Sequence, residues 1–312
     1  MAALSLGLLE FGYHKRNVDS LTVMQNILNY IEQADRLGYT RFWLTEHHSY
    51  YGTSPWSNPE MFLPVLLTAT ARIKVGMAGI LINYHSPYRV ALNFKLLANL
   101  FSDRVDLGFA NGTPSENVSR YLLQSDFDKR PDNYFKNIGE VHRFMFQEEA
   151  LSQTEKIVIP PYGGIVPSLY LLSSFSTHLD KATELQLNFC KSLFHDVGSR
   201  TPERDKIERY REQFYKKYQV CPEVSLAVPF ICASTREEAL RMEERTAEKR
   251  VINTILGSPA EIHEYLRQLQ QDFGVDEYIL YDRSLDPVAK MEALDMLDQE
   301  IGLVSKPVKC NL

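Results

Sequence analysis

Cysteine is scarce in this chain: Cys190, Cys221, Cys232 and Cys310 are the only four among 312 residues. None forms a Cys-x-x-Cys pair or stands at zinc-finger spacing from a histidine, which argues against a disulfide scaffold and against structural zinc. Apolar runs long enough to span a bilayer are missing, and the first nine residues carry no basic segment ahead of Glu10. A cytoplasmic protein with no membrane partner is therefore expected. Positive charge is not in excess either. The net charge is -6, and the basic residues between 241 and 250 alternate with glutamates as on a solvated helix face, so a nucleic-acid partner is not expected. Also missing are a Gly-x-Gly-x-x-Gly turn, a His-Glu-x-x-His helix, internal repeats and any linker or low-complexity tract. Residues 1–312 read as one domain.

What is present suits a globular enzyme. With 44% hydrophobic and 24% charged residues, a chain of this length can bury a core without staples. Runs of β type occur at 3–9, 41–45, 73–82, 105–110, 169–173, 187–191, 223–231 and 276–281. Amphipathic stretches lie between them. Over 21–37 the apolar residues Leu21, Met24, Ile27, Leu28, Ile31 and Ala34 recur at helical spacing, and Gly38 follows at the position that ends a helix. Pro59 and Pro87 each open a further helix. Ser258-Pro259-Ala260-Glu261 has the form of a capping box. Eight strands alternating with helices predict an α/β fold, a (β/α)8 TIM barrel, in preference to an open doubly wound sheet. Two regions fit the alternation poorly. Residues 115–164 are mixed, with a helix over 135–146 and a short strand over 156–159, and residues 191–204 look loop-like. Both read as insertions at the C-terminal face, where this fold builds its active site.

Four segments hold the candidate chemistry. Thr45-Glu46-His47-His48 ends the second strand, where a histidine can exchange a proton near neutral pH. His47 and Glu46 are the candidate catalytic pair; the bland alternative is a histidine that packs or caps a loop. Glu46, His47, His48 and His85 are numerous enough for a metal, but adjacent residues on an extended chain face opposite ways, so no metal site is assigned. Val75-Gly76-Met77-Ala78-Gly79-Ile80-Leu81 is a strand of small residues, fit for the close approach of a flat ligand or of another backbone; the bland alternative is a tapered barrel interior that needs small side chains. Leu171-Leu172-Ser173-Ser174-Phe175-Ser176-Thr177 is a strand and a hydroxyl-rich turn ahead of a helix, a geometry that suits a phosphate as well as an ordinary cap. Arg104-Val105-Asp106-Leu107-Gly108-Phe109-Ala110-Asn111-Gly112 ends a strand in a tight turn. His48, His85 and Tyr51 are weaker candidates for the substrate wall or a lid.

Taken in order, these segments resemble the luciferase-like flavin monooxygenase superfamily over most of the chain. Phe42-Trp43-Leu44-Thr45-Glu46-His47-His48 is similar to its second-strand signature. Arg72-Ile73-Lys74-Val75-Gly76 leads into a strand similar to the one that carries a non-prolyl cis peptide, here at Ala78–Gly79. Tyr88-Arg89-Val90-Ala91 and Gly257-Ser258-Pro259 resemble later stretches. The resemblance implies reduced FMN as cofactor, a monooxygenase reaction with O2, a separate NAD(P)H:flavin reductase and a homodimer. It makes His47 the histidine beside the isoalloxazine, and Ala78, Gly79, Ser173, Ser174 and Thr177 part of the cofactor site. Asn111 departs from the family, standing where many members have a phosphate-binding arginine, and Ala110 stands at the reactive cysteine of the light-emitting members. The alternatives are hydride transfer with FMN or the deazaflavin F420 on the same barrel, and a non-catalytic flavin-binding paralogue. A metallohydrolase is a more distant one.

Overall fold

A computed structural model describes residues 3–15, 17–48, 55–123, 133–195, 197–246 and 253–303. Its strands are β1 (Ser5–Glu10), β2 (Arg41–Leu44), β3 (Lys74–Leu81), β4 (Val105–Ala110), β5 (Ser168–Ser173), β6 (Asn188–Ser192), β7 (Val224–Cys232), β8 (Ile255–Gly257) and β9 (Glu277–Asp282). All pairings are parallel. Strands β1 to β6 pair in sequence, β6 pairs with β7, β7 with β9, and β9 with β1, which closes an eight-stranded barrel. The three-residue β8 is extra, added along the last residues of β7. The fold is the (β/α)8 barrel that the alternation predicts.

The outer helices are α1 (Ser20–Leu37), α2 (Leu63–Ala69), α3 (Pro87–Leu100), α4 (Glu116–Leu123), α5 (Tyr134–Phe146) and α6 (Glu148–Thr154). They continue as α7 (Leu179–Glu184), α8 (Arg204–Tyr218), α9 (Arg236–Glu243), α10 (Pro259–Phe273) and α11 (Pro287–Ile301). Their ends follow local chemistry. Asp19 accepts from Thr22 N–H to start α1, and Gly38 closes it at φ 95°, a left-handed conformation that costs glycine little. Ser258 and Glu261 form the reciprocal capping box of α10. Pro59 opens a short 3-10 turn, Pro59–Met61, and not α2 itself. Residues 156–159 form no strand: Ile159 is buried, but its carbonyl accepts from the buried Lys95 Nζ at 3.0 Å instead of from a neighbouring strand.

Period-two alternation sorts the side chains into two cores. On β1, Leu6 and Leu8 face the helices while Leu9 faces the barrel interior, where it joins Phe11, Trp43, Tyr170, Cys190 and Ile279. The lower interior is filled by an ion network. Arg41 Nη1 donates to Asp106 Oδ2 at 2.7 Å and to Tyr170 Oη at 2.6 Å, Nη2 to Glu223 Oε2 at 2.5 Å, and Nε to Glu277 Oε1 at 2.7 Å. Trp43 Nε1 also donates to Asp106 Oδ2, at 2.9 Å. Burial lowers the guanidinium's affinity for its proton, but the surrounding carboxylates outweigh that and hold it charged. The N-terminal end of the barrel is thus shut by charge and aromatic rings.

The Gly-rich β3 owes its composition to a neighbouring backbone. A Cβ on Gly76 would stand 2.3 Å from Asp106 O, and one on Gly79 would stand 2.7 Å from Gly108 O. Close approach of the β4 backbone accounts for both glycines.

Candidate active site

A cavity of about 600 Å³ opens at the C-terminal face of the barrel, within the range of sites that hold cofactors and drug-sized ligands. Its floor and walls include Trp43, Cys190, Phe194 and Ala227 from the barrel core, with Tyr134 and Phe135 contributed by α5. Helix α5 belongs to the insertion after β4, and Tyr134 Oη ties it down by donating to Phe109 O at 2.9 Å. The insertion expected at this face thus forms one wall of the mouth.

Glu46, His47, Ala78, Gly79, Asn111, Ser173 and Ser174 all line this cavity. The peptide bond between Ala78 and Gly79 is cis. Thr45 and His47 follow the inward phase of β2, and Thr45 Oγ1 lies 2.9 Å from His47 Nδ1, which fixes the ring's orientation. Phe11 packs against the imidazole at a centroid distance of 5.0 Å.

Glu46 and His48 follow the opposite phase. The Glu46 carboxylate accepts from Leu81 N–H at 2.9 Å and lies 2.8 Å from His85 Nε2 and 3.0 Å from His48 Nε2. Burial would raise its pKa, but the bonds to His48, His85 and Leu81 prevail and hold it at about 2. His85 is raised in turn: burial pulls it down, and the contact with Glu46 more than compensates. These three side chains therefore clamp the end of β2 to the end of β3. Neither His48 nor His85 is among the described residues that line the cavity. Among the described residues no set of three His, Cys, Asp or Glu side chains has the arrangement of a metal site. Tyr51 lies outside the described residues.

At the far end of the cavity, Ser173 Oγ accepts from Phe175 N–H at 3.1 Å and donates to Phe175 O at 2.8 Å, so its hydroxyl shapes the turn. Thr177 is exposed and is not among the lining residues; Phe175 and His178 of the same turn line the cavity, while Ser176 is buried against Glu203. A buried lysine that sequence reading passed over supports this turn from beneath. Lys191 Nζ on β6 donates to Ser174 O at 2.8 Å and to Glu203 Oε2 at 2.8 Å, and Glu203 also accepts from Ser176 Oγ at 2.6 Å. Glu203 also accepts from Lys206 Nζ at 2.6 Å, and Lys191 holds the backbone of the turn. Asn111 accepts from Asn83 Nδ2 at 3.0 Å and is exposed at the rim. Also in the wall, Cys190 is pushed up to about 12 by burial and stays a neutral thiol.

The geometry can hold a flat aromatic system between aromatic walls and the side-chain-poor β3, with an imidazole near one end and a hydroxyl-rich turn at the other. Known proteins resemble the chain as follows. An N-acetyl-S-alkylcysteine monooxygenase of Bacillus subtilis (strain 168) is 24% identical over 263 residues, 81% of this chain and 76% of that protein. Among solved structures, apo-MsnO8 superposes with a TM-score of 0.81 at 22% identity, covering 97% of this chain and all of the other, 100%. The oxygenating constituent of 3,6-diketocamphane monooxygenase from Pseudomonas putida, in complex with FMN, gives 0.74 at 18% identity, covering 96% and 98%. An F420-dependent secondary alcohol dehydrogenase gives 0.66 at 10% identity, covering 96% and 99%. These structures share the fold. The model of the luciferase-like monooxygenase family matches residues 11–278, most of the chain. This chain belongs to the luciferase-like monooxygenase family.

Proposed function

We propose that the chain is the oxygenating component of a two-component flavin monooxygenase, taking reduced FMN from a separate NAD(P)H:flavin reductase and using O2 to oxygenate a small organic molecule. The observation that carries this reading is the composition of the mouth: His47, the Ala78–Gly79 strand and the Ser173–Ser174 turn line one cavity of about 600 Å³. Reduced flavin, when bound, supplies the electrons that activate O2. The protein's own part is positioning and exclusion. Phe11, Trp43 and Phe194 keep water from the reacting face. With Nδ1 engaged by Thr45, His47 Nε2 is the atom assigned to proton exchange. Ser173 and Ser174, braced by Lys191, would take the phosphate end. Glu46 acts through the clamp it forms with His85 and His48 and is a positioning residue.

The second reading, hydride transfer with F420, draws on Asn111 in place of an arginine and on the F420-dependent enzyme of like fold. Anaerobic titration with FMNH2 and with reduced F420 separates the two. Tight binding of FMNH2 is expected. Thioethers and alicyclic ketones are the first substrates to try, given the names of the similar proteins, and product should carry ¹⁸O from ¹⁸O2. Product formed under strict anaerobiosis with reduced F420 would overturn the proposal.

A homodimer is also proposed. Met61 and Val65 are exposed in the segment that leads through α2, and Leu96 and Leu100 are exposed on the face of α3 that carries Asn93. Asn93 Nδ2 donates to Glu60 at 2.9 Å, so the two segments adjoin and their apolar residues are suited to a second copy.

A further inference from the structure

Six of the eight histidines carry a hydrogen bond on the ring: His14 to Lys15, His47 to Thr45, His48 and His85 to Glu46, His142 to Gln186 and His263 to Glu300. The other two, His178 and His195, have no hydrogen-bond partner among the described residues, and both line the barrel mouth. His178 belongs to the turn after Ser173 and Ser174, the end of the mouth assigned to the cofactor phosphate. His195 stands elsewhere, just beyond the end of β6. In the eight-stranded ring β6 is diametrically opposite β2, so His195 and His47 stand on opposite sides of the mouth. The His195 ring packs on Phe194 at a centroid distance of 4.3 Å, and Phe194 lies 6.2 Å from Phe11, the ring that supports His47. His195 is exposed, yet the protein around it withdraws enough water to hold its pKa below the ordinary 6.5. At neutral pH the ring is uncharged and offers one N–H.

Two properties of the mouth set what that N–H can meet. Charge is the first. Among the described residues no lysine or arginine lines the mouth, and its one carboxylate, Glu46, is engaged by Leu81 N–H, His85 and His48. A charged substrate would lose hydration there and find no counter-charge. Donor supply is the second. Trp43 Nε1 already donates to Asp106, Tyr134 Oη to Phe109 O and Ser173 Oγ to Phe175 O. Phe11, Trp43 and Phe194 make much of the remaining wall apolar. An unengaged imidazole N–H in such a wall suits a carbonyl oxygen, which accepts and has nothing to donate.

We propose that His195 selects the substrate: an uncharged molecule, apolar over most of its surface, whose carbonyl oxygen accepts from the His195 imidazole across the mouth from His47. The assignment rests on the reading of this mouth as the flavin site. Cyclohexanone is the probe, followed by ligand-observed NMR on the full chain with and without saturating FMN. Methylenecyclohexane, which has its shape but no acceptor, is run beside it, with cyclohexylamine and cyclohexanecarboxylate as the charged analogues. Cyclohexanone should bind about fivefold more tightly than methylenecyclohexane, the difference that one hydrogen bond confers. His195→Phe should bring that ratio to about one, and His195→Gln, which keeps an N–H donor, should retain most of it. Circular dichroism and FMN titration verify that each variant keeps its fold and its mouth. A ratio near one in the unaltered chain, a ratio that survives His195→Phe, an equal loss in His195→Gln, or tighter binding of either ion would each overturn the assignment. Failure of the unaltered chain to bind FMN would overturn the flavin reading instead, a result read separately from the ketone ratio.

Discussion

His47 and Glu46 are adjacent in the chain but belong to opposite phases of β2, and the difference sets what each can be tested for. His47 faces the mouth with its ring held by Thr45 and Phe11. On the proposed reading, His47→Ala should lower turnover by about 10²-fold or more, as expected for loss of a positioned proton donor or acceptor, with flavin affinity little changed. A variant with full turnover in a stopped assay would remove the residue from the chemistry. Glu46 titrates at about 2 against an ordinary 4.5, so its contribution to stability is complete above 4.5 and fades as pH falls toward 2. His85 is raised above 6.5, so its contribution is complete below 6.5 and fades as pH rises through the raised value. Their contact is strongest where both conditions hold, between 4.5 and 6.5. Glu46→Gln should cost about 2–3 kcal/mol in that window and less at pH 8.5, read from thermal melts across the range. A penalty that does not vary with pH would show that the clamp is not ionic.

On the proposed reading, the β4–α4 turn carries the residue that bears on cofactor choice. Asn111→Arg restores the cation that many family members place there and should tighten FMN binding about tenfold, measured by anaerobic fluorescence titration. Unchanged affinity would mean that the phosphate lies elsewhere. The eight barrel strands were legible because each is a run of apolar residues bounded by turn signals, α1 and α10 because their caps are local in sequence, and α3 because Pro87 opens it. β8 was not legible: three residues along the end of β7 leave no periodicity to read. The apolar character of Ile157 and Ile159 was read correctly and misassigned, since burial there is provided by a segment whose carbonyl goes to Lys95. Lys191 was missed for a different reason. A lysine in a strand is interpretable only once Glu203, twelve residues on, is seen beside it. The Glu46 clamp was hidden in the same way, because its partner His85 lies beyond another strand and helix.

At the scale of the whole molecule, closure of the barrel depends on charge as well as packing. Arg41 begins β2 and reaches Asp106 on β4, Tyr170 on β5, the residue ahead of β7 and the first residue of β9. Replacing it leaves the buried Asp106 without its cation beside the more exposed Glu277 and Glu223. Arg41→Met should lose about 3–5 kcal/mol of stability in denaturant titration, and a loss below about 1 kcal/mol would show that the network is dispensable. The network also has a consequence for traffic. With the far end of the barrel stoppered, the mouth is both doorway and exit. On the proposed reading, cofactor, substrate and product would all pass through that single opening.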